Sequence, residues 1–207
     1  MIKITKTQEP KEWTEKIKTP GFKEYSSIPE LRDALLNDQG YICAYCMNRI
    51  GENNSKIEHI KSQSPNKYPE LQLEYSNMVI CCQGITNNEA HCDTRKGVKD
   101  ISFDIFSDSF FNTISYKSSD GEILSTNTVY NKEINKILNL NHKTIKLNRF
   151  SVLDGVIKSI SKKINWTKKG VNNQLTYWSN KDKDYKYQPY CGIIIWYLKR
   201  KIKYLTK

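Results

Sequence analysis

The chain has 207 residues, with 33 Lys and Arg, 22 Asp and Glu and 6 Cys, for a net charge of +11. That length suits one ordinary domain with an elaboration and buries a core without disulfide staples. A hydrophobic share of 38% with 11% aromatics excludes a disordered chain. The longest apolar run, residues 192–198, falls far short of the roughly 20 residues of a membrane span. The opening residues lack the apolar stretch of a secretory signal. A cytoplasmic, reducing location is therefore expected, where clustered cysteines hold metal more often than they form disulfides.

The charge is unevenly placed. Residues 155–207 hold 13 Lys and Arg against 2 Asp, whereas residues 1–154 balance at 20 against 20. The whole surplus sits in the last quarter, which suggests contact with a polyanion such as nucleic acid. A solvated basic face is the bland alternative. The excess of Lys over Arg favours phosphate contact over reading of base edges.

Residues 1–27 are polar and Lys-rich, broken by Pro10, Pro20 and Gly21, and read as an arm with one short helical stretch near residues 12–17. Pro29 and Glu30, followed by Leu31 and Leu35, predict a short helix that Gly40 ends. Residues 41–100 hold five of the six cysteines and two of the three histidines. Their apolar groups are short and broken, which predicts small strands and knuckles. Residues 62–75 read as a polar loop and residues 87–89 as an inserted one. Residues 101–106 alternate like a strand, residues 118–121 form a turn, and residues 123–130 read as a returning strand. Helical spacing begins at Ile134 and continues through Ile145, Leu147, Phe150, Leu153, Ile157, Ile160 and Ile164, with Lys158, Lys162 and Lys163 on the other side. Residues 165–189 are polar, contain Gly170 and are expected to loop over the surface. Residues 190–204 close as a helix, with Ile193, Ile194, Trp196 and Tyr197 inside and Lys199, Arg200 and Lys201 outside. The six basic residues Lys158, Lys162, Lys163, Lys199, Arg200 and Lys201 are the candidate nucleic-acid contacts.

Three local signals carry chemistry. In Cys43-Ala44-Tyr45-Cys46, a C-x-x-C knuckle points two thiolates at one ion. Zinc takes four such ligands at about 2.3 Å in a tetrahedron. A redox pair looks the same locally but needs a βαβ setting, and none follows. The second half of a zinc site would come from among Cys81, Cys82 and Cys92, with His91 beside them; Cys191 reads as core. The second signal is Glu58-His59 between Ile57 and Ile60. Strand alternation puts Ile57 and His59 on one face and Glu58 on the other, so the pair reaches one site only at a distorted strand end. The third is Asn77, which alone reads as a cap or turn residue before Met78-Val79-Ile80-Cys81-Cys82.

Taken in order (C-x-x-C, Glu-His, Asn, Cys, then His91-Cys92-Asp93-Thr94-Arg95-Lys96), these residues resemble the zinc-bearing HNH endonucleases of the His–metal finger group. Asn77 precedes Cys82 by five positions, as the Asn of that group precedes its third cysteine, so the resemblance selects Cys43, Cys46, Cys82 and Cys92 as structural zinc ligands. The Glu-His pair, the long gap from Cys82 to Cys92 and the later Leu138-Asn139-Leu140-Asn141…Leu147…Arg149 look like PtuB, the HNH subunit of Septu-type and retron-associated phage-defence systems. The resemblance implies an α+β fold: a ββα-metal finger with a zinc knuckle and a mostly helical, basic C-terminal region. The expected layout is an arm and short helix in 1–40, the finger in 41–100, and a hairpin with basic helices in 101–207.

The resemblance also assigns roles. His59 would be the general base, and Glu58 with the amide oxygen of Asn77 would hold one Mg²⁺ or Mn²⁺. Asp93 stands where many members have His or Asn, with His91 as the alternative. Lys96 would neutralise a phosphate. An ABC-type ATPase resembling PtuA is the implied partner, with a retron reverse transcriptase and its msDNA in the retron setting, and no membrane. DNA is the favoured substrate. The alternatives are an effector that cuts RNA or tRNA, and a zinc-stapled module that binds nucleic acid or a partner without cutting.

Overall fold

A computed structural model describes residues 1–64, 66–163 and 166–205 of the chain; Ile164 and the side chain of Lys163 lie outside the described residues. Its elements in chain order are α1 (Lys11–Ile17), α2 (Pro29–Gln39), β1 (Ser55–His59), β2 (Met78–Cys82), β3 (Ile85–Thr86), β4 (Glu89–Ala90), α3 (Cys92–Lys96), α4 (Asp108–Phe111), β5 (Ile114–Tyr116), β6 (Ile123–Ser125), α5 (Thr128–Lys136), α6 (Lys143–Lys163), α7 (Lys168–Ser179) and α8 (Cys191–Leu205). Among the described residues the strands pair in twos, β1 with β2, β3 with β4 and β5 with β6, all antiparallel. Helices with small separate sheets make the class α+β.

The pair that matters most is β1–β2. It sets Glu58 opposite Val79 and His59 opposite Met78. All five residues of β2 are buried, so the strand reads as an unbroken apolar run. Helices α2 and α3 both pack against β2. Helix α2 starts with proline at its first position and buries Leu31, Leu35 and Leu36. It stops at Gly40, whose φ of 58° is left-handed. A Cβ there would also meet the Tyr187 ring at 2.5 Å, so this helix end accepts only glycine. Residues 87–89 enter a tight hairpin: Asn87 and Asn88 both have positive φ, as a two-residue turn between β3 and β4 requires.

Several expectations are corrected. The N-terminal segment is no free arm, because Ile4 and Trp13 are buried and the Trp13 indole donates to the Leu73 carbonyl at 3.1 Å. Residues 101–106 bury Ile101, Phe103 and Ile105 in alternation but find no strand partner among the described residues. The returning strand ends at Ser125, since Asn127 caps α5 by accepting from the Val129 and Tyr130 amides. Leu147 is 56% exposed: two residues after Ile145, it points to the opposite side of α6. The expected surface loop contains α7. Thr167 caps it through the Gly170 amide, and Val171, Leu175 and Trp178 recur at helical spacing against the core. Trp196 and Tyr197 are half-buried, not inside. One continuous core joins side chains of the N-terminal segment, the cysteine region and the C-terminal helices.

Candidate functional site

The Cys43 and Cys46 thiols come from a tight turn in which the Met47 amide donates to the Cys43 carbonyl at 3.0 Å. Cys82 ends β2, and Cys92 opens α3 with a left-handed φ of 53°. These four sulfurs lie within 4.8 Å of one another and all four residues are buried. Cys43 Sγ is 3.9 Å from Cys92 Sγ, and Cys46 Sγ is 3.7 Å from Cys82 Sγ. A tetrahedron with arms of about 2.3 Å has edges of about 3.8 Å, so the cluster has the dimensions of a thiolate cage for a metal such as zinc. Burial opposes ionisation of Cys43, but hydrogen bonds with Cys46, Cys81, Cys82 and Cys92 outweigh it and hold this thiol well below its usual range. Cys81 is buried beside the cluster yet outside the group of four, and Cys191 is fully buried core. His91 serves the cysteine side: its Nδ1 is 3.2 Å from Cys92 Sγ, and its Nε2 is 3.0 Å from the Thr86 hydroxyl.

Alternation along β1 turns Glu58 toward α3. Its Oε1 is 2.7 Å from Lys96 Nζ and accepts from the Tyr45 hydroxyl at 3.2 Å. Burial first, and then a hydrogen bond with the Asp93 carboxyl, push Glu58 up to about 8; the Lys96 ammonium offsets them only in part. Asp93 moves the other way. Its burial is outweighed by hydrogen bonds with Glu58 and Lys56, which hold it below the usual carboxylate range. Lys56 Nζ lies 2.5 Å from Asp93 and donates to the Thr94 hydroxyl at 2.8 Å. Two carboxyl groups sharing hydrogen bonds form an oxygen-rich donor pair of the kind a hard divalent cation takes. Lys96 does not stand where a phosphate would meet it. It is 1% exposed, and its ammonium is bound to Glu58 and to the His59 carbonyl at 3.1 Å.

His59 faces the other way, toward the loop between β1 and β2. Its Nε2 lies 2.9 Å from the Gln72 carbonyl, and the Tyr25 ring meets it edge-on with centroids 4.6 Å apart. Since a carbonyl only accepts, Nε2 carries the proton, and Nδ1 of the neutral ring carries the lone pair. Burial lowers the affinity of the imidazole for a second proton; the Gln72 carbonyl works against this, Lys96 adds to it, and Asp93 opposes it. Lys96 links the two faces of the strand end, since its ammonium is bound both to Glu58 and to the main-chain carbonyl of His59.

Asn77 is engaged on the main chain. Its Oδ1 accepts from the Lys61 amide at 2.8 Å, and its Nδ2 donates to the carbonyls of Lys61 at 2.9 Å and Leu71 at 3.0 Å. It clamps the loop that carries Gln72. The residue brought to Glu58 in its stead is Asp93. Sequence reasoning also missed Lys56 and Gln72. Lys56 had a signal, because it sits two positions before Glu58 on the same strand face. Gln72 had none, because a main-chain carbonyl does the work.

Of the candidate nucleic-acid contacts, Lys162, Lys199 and Arg200 are exposed and Lys201 is half-buried. Lys158 is exposed too but already pairs with Asp154 at 2.6 Å. Trp166 links the end of α6 to the middle of α8: its indole donates to Ser161, and its ring lies 6.2 Å from that of Tyr197.

No protein-family profile matches the chain. It is 41% identical over 63 residues to the inferred HNH endonuclease of retron Ec83 from Escherichia coli, a match that covers 28% of this chain and 24% of that protein. It is 33% identical over 67 residues to the inferred HNH endonuclease of retron Vc95 from Vibrio cholerae serotype O1 biovar El Tor, covering 32% of this chain and 33% of that protein. The chain thus spans between a quarter and a third of the length of these curated relatives. No helix among the described residues is long and apolar enough to cross a membrane.

Proposed function

We propose that the chain is a metal-dependent HNH endonuclease that hydrolyses phosphodiester bonds of nucleic acid, with DNA the favoured substrate. One observation carries this reading: a buried imidazole whose Nε2 proton is committed to the Gln72 carbonyl directly follows Glu58 on β1, and Lys96 binds both the Glu58 carboxyl and the His59 carbonyl. The order β1, β2, α3, with α3 packed on β2, supports a ββα-metal finger.

His59 Nδ1 takes a proton from the attacking water, as a base with its lone pair free at neutral pH can do. The Gln72 carbonyl keeps the ring in that tautomer, and Asn77 holds the loop that presents it. Glu58 and Asp93 would hold Mg²⁺ or Mn²⁺, which would supply Lewis-acid stabilisation of the charge that develops during phosphodiester hydrolysis. Before metal arrives, Lys56 compensates the Asp93 carboxylate, while Glu58, pushed up to about 8, holds a proton at neutral pH. Cys43, Cys46, Cys82 and Cys92 would hold zinc as a structural staple, since a finger this small depends on metal to fold.

The chain is further read as the effector of a cytoplasmic retron-linked defence complex with an ABC-type ATPase partner. The PtuB-like motif order and the retron names of both relatives support that setting. The test is a cutting assay on plasmid DNA and total RNA in Mg²⁺, Mn²⁺ or EDTA, with and without the co-expressed ATPase. Metal-dependent cutting of DNA supports the proposal. Cutting of RNA alone moves the substrate to RNA. Binding with no cutting in any arm sinks the nuclease in favour of a binding module.

A further inference from the structure

The C-terminal end of α8 lines a cleft of about 450 Å³ against the β5–β6 hairpin, well away from the cysteine cluster. Tyr190, just before α8, donates its amide to the Met47 carbonyl at 3.0 Å, so the helix leaves from the cysteine knuckle. At about 1.5 Å per residue, Arg200 and Tyr204 lie roughly 14 to 20 Å further along it. The cleft walls carry Trp196, Tyr197 and Tyr204 together with Arg200 and Lys201. Arg200 lies over the Trp196 ring at 5.0 Å and Lys201 over the Tyr197 ring at 5.4 Å. Neither cation has a carboxylate partner among the described residues, unlike Lys117 on the opposite wall, which is bound to Glu122. Tyr204 is 68% exposed.

Cations alone would suit any polyanion. An exposed Tyr204 ring beside two cations that have no carboxylate partner among the described residues suits a narrower class. In a duplex the base faces are stacked inside, out of reach of an exposed tyrosine. In a single strand each base presents a face that stacks on an aromatic ring or a guanidinium plane while cations follow the phosphates. We propose that this cleft is a docking site for single-stranded nucleic acid, remote from the cutting centre and holding a strand that runs on toward β1. The proposal deepens the nuclease reading by naming the strandedness of what is bound, and it rests on that reading for the purpose of the site.

The test uses the full chain carrying His59→Ala, so that substrate survives, and fluorescence anisotropy with labelled DNA and RNA single strands and a duplex of the same sequence. Single strands should bind about tenfold or more tightly than the duplex. Adding Tyr204→Ala should weaken the single strand by about 5-fold to 100-fold, the range of one base–aromatic stack, and leave the duplex unchanged. Arg200→Lys, which keeps charge but loses the plane, should weaken it less. Both side chains are exposed, and an unchanged melting curve confirms that the variants fold. Equal affinity for duplex, no effect of Tyr204→Ala, or no binding of any strand overturns the cleft. The two readings fail separately. Cutting by the His59 form with Tyr204-independent binding removes the cleft alone, and Tyr204-dependent binding by a chain that never cuts removes the nuclease alone.

Discussion

The Nε2 nitrogen of His59 is held 2.9 Å from the main-chain carbonyl of Gln72, thirteen residues along the chain. That contact fixes which nitrogen is basic, and burial sets when it is basic. Because burial holds the imidazole below its ordinary 6.5, the ring stays neutral at pH 7. Cutting measured in single turnover at saturating Mn²⁺ should be flat through neutral pH and fall on the acid side with a midpoint below 6.5. The same shift has a stability consequence. Below 6.5 the unfolded imidazole takes a proton that the folded one still refuses, so this contribution to stability is lost as pH falls from 6.5 toward the folded value. An acid limb centred above 6.5 would contradict the assignment.

Asn77 separates a metal ligand from a loop clamp. Aspartate would serve a metal at least as well, but it loses the two donations to the Lys61 and Leu71 carbonyls. Asn77→Asp should therefore destabilise the fold by about 2–4 kcal/mol, the scale of two buried hydrogen bonds and their stranded carbonyls. It should also slow cutting at least tenfold. Full activity with improved Mn²⁺ affinity would return Asn77 to the metal.

Lys96 is predicted to matter for folding before it matters for substrate. Lys96→Met keeps much of the volume and removes the ammonium from between Glu58 and the His59 carbonyl. Urea unfolding should show a loss of about 1–3 kcal/mol, the scale of buried polar groups that lose their hydrogen-bond partner. A change under about 1 kcal/mol, with weaker DNA binding, would put Lys96 on the substrate after all.

The two adjacent cysteines of β2 should behave oppositely. Cys82→Ser should lower bound zinc below one per chain and broaden or abolish the thermal transition, because one thiolate of the cage is gone. Cys81→Ser should keep its zinc and lose stability only modestly. Metal analysis with a melting curve for each variant decides the matter, and zinc loss in Cys81→Ser alone would reverse the ligand assignment.

Much of this architecture was legible where side-chain pattern and local geometry agree. Pro29 and Gly40 mark the ends of α2 to within a residue, and the apolar run before Cys82 marks β2. The grouping of Cys43, Cys46, Cys82 and Cys92 came from the resemblance to zinc-bearing HNH endonucleases, since the cysteine pattern alone left Cys81 open. Less legible was whatever depends on main-chain partners or tertiary packing. Asn77 could be placed on the loop but not on its three hydrogen-bond partners, and nothing in the sequence marks the Gln72 carbonyl. Gly170 reads as a breaker, yet it lies in the first turn of α7, where its amide is the donor that Thr167 caps. Residues 101–106 show why alternation alone is insufficient: burial alternates there without a neighbouring strand to complete a sheet.

The most direct test of the central claim is the single-turnover rate of His59→Ala against the unsubstituted chain on one labelled DNA substrate in Mn²⁺, with zinc content and melting curve measured on the same samples. A positioned general base contributes about 10²–10⁴-fold. The account predicts a loss in that range with zinc content unchanged. A His59→Ala chain that is folded, zinc-loaded and cuts within a few fold of the original rate would contradict it.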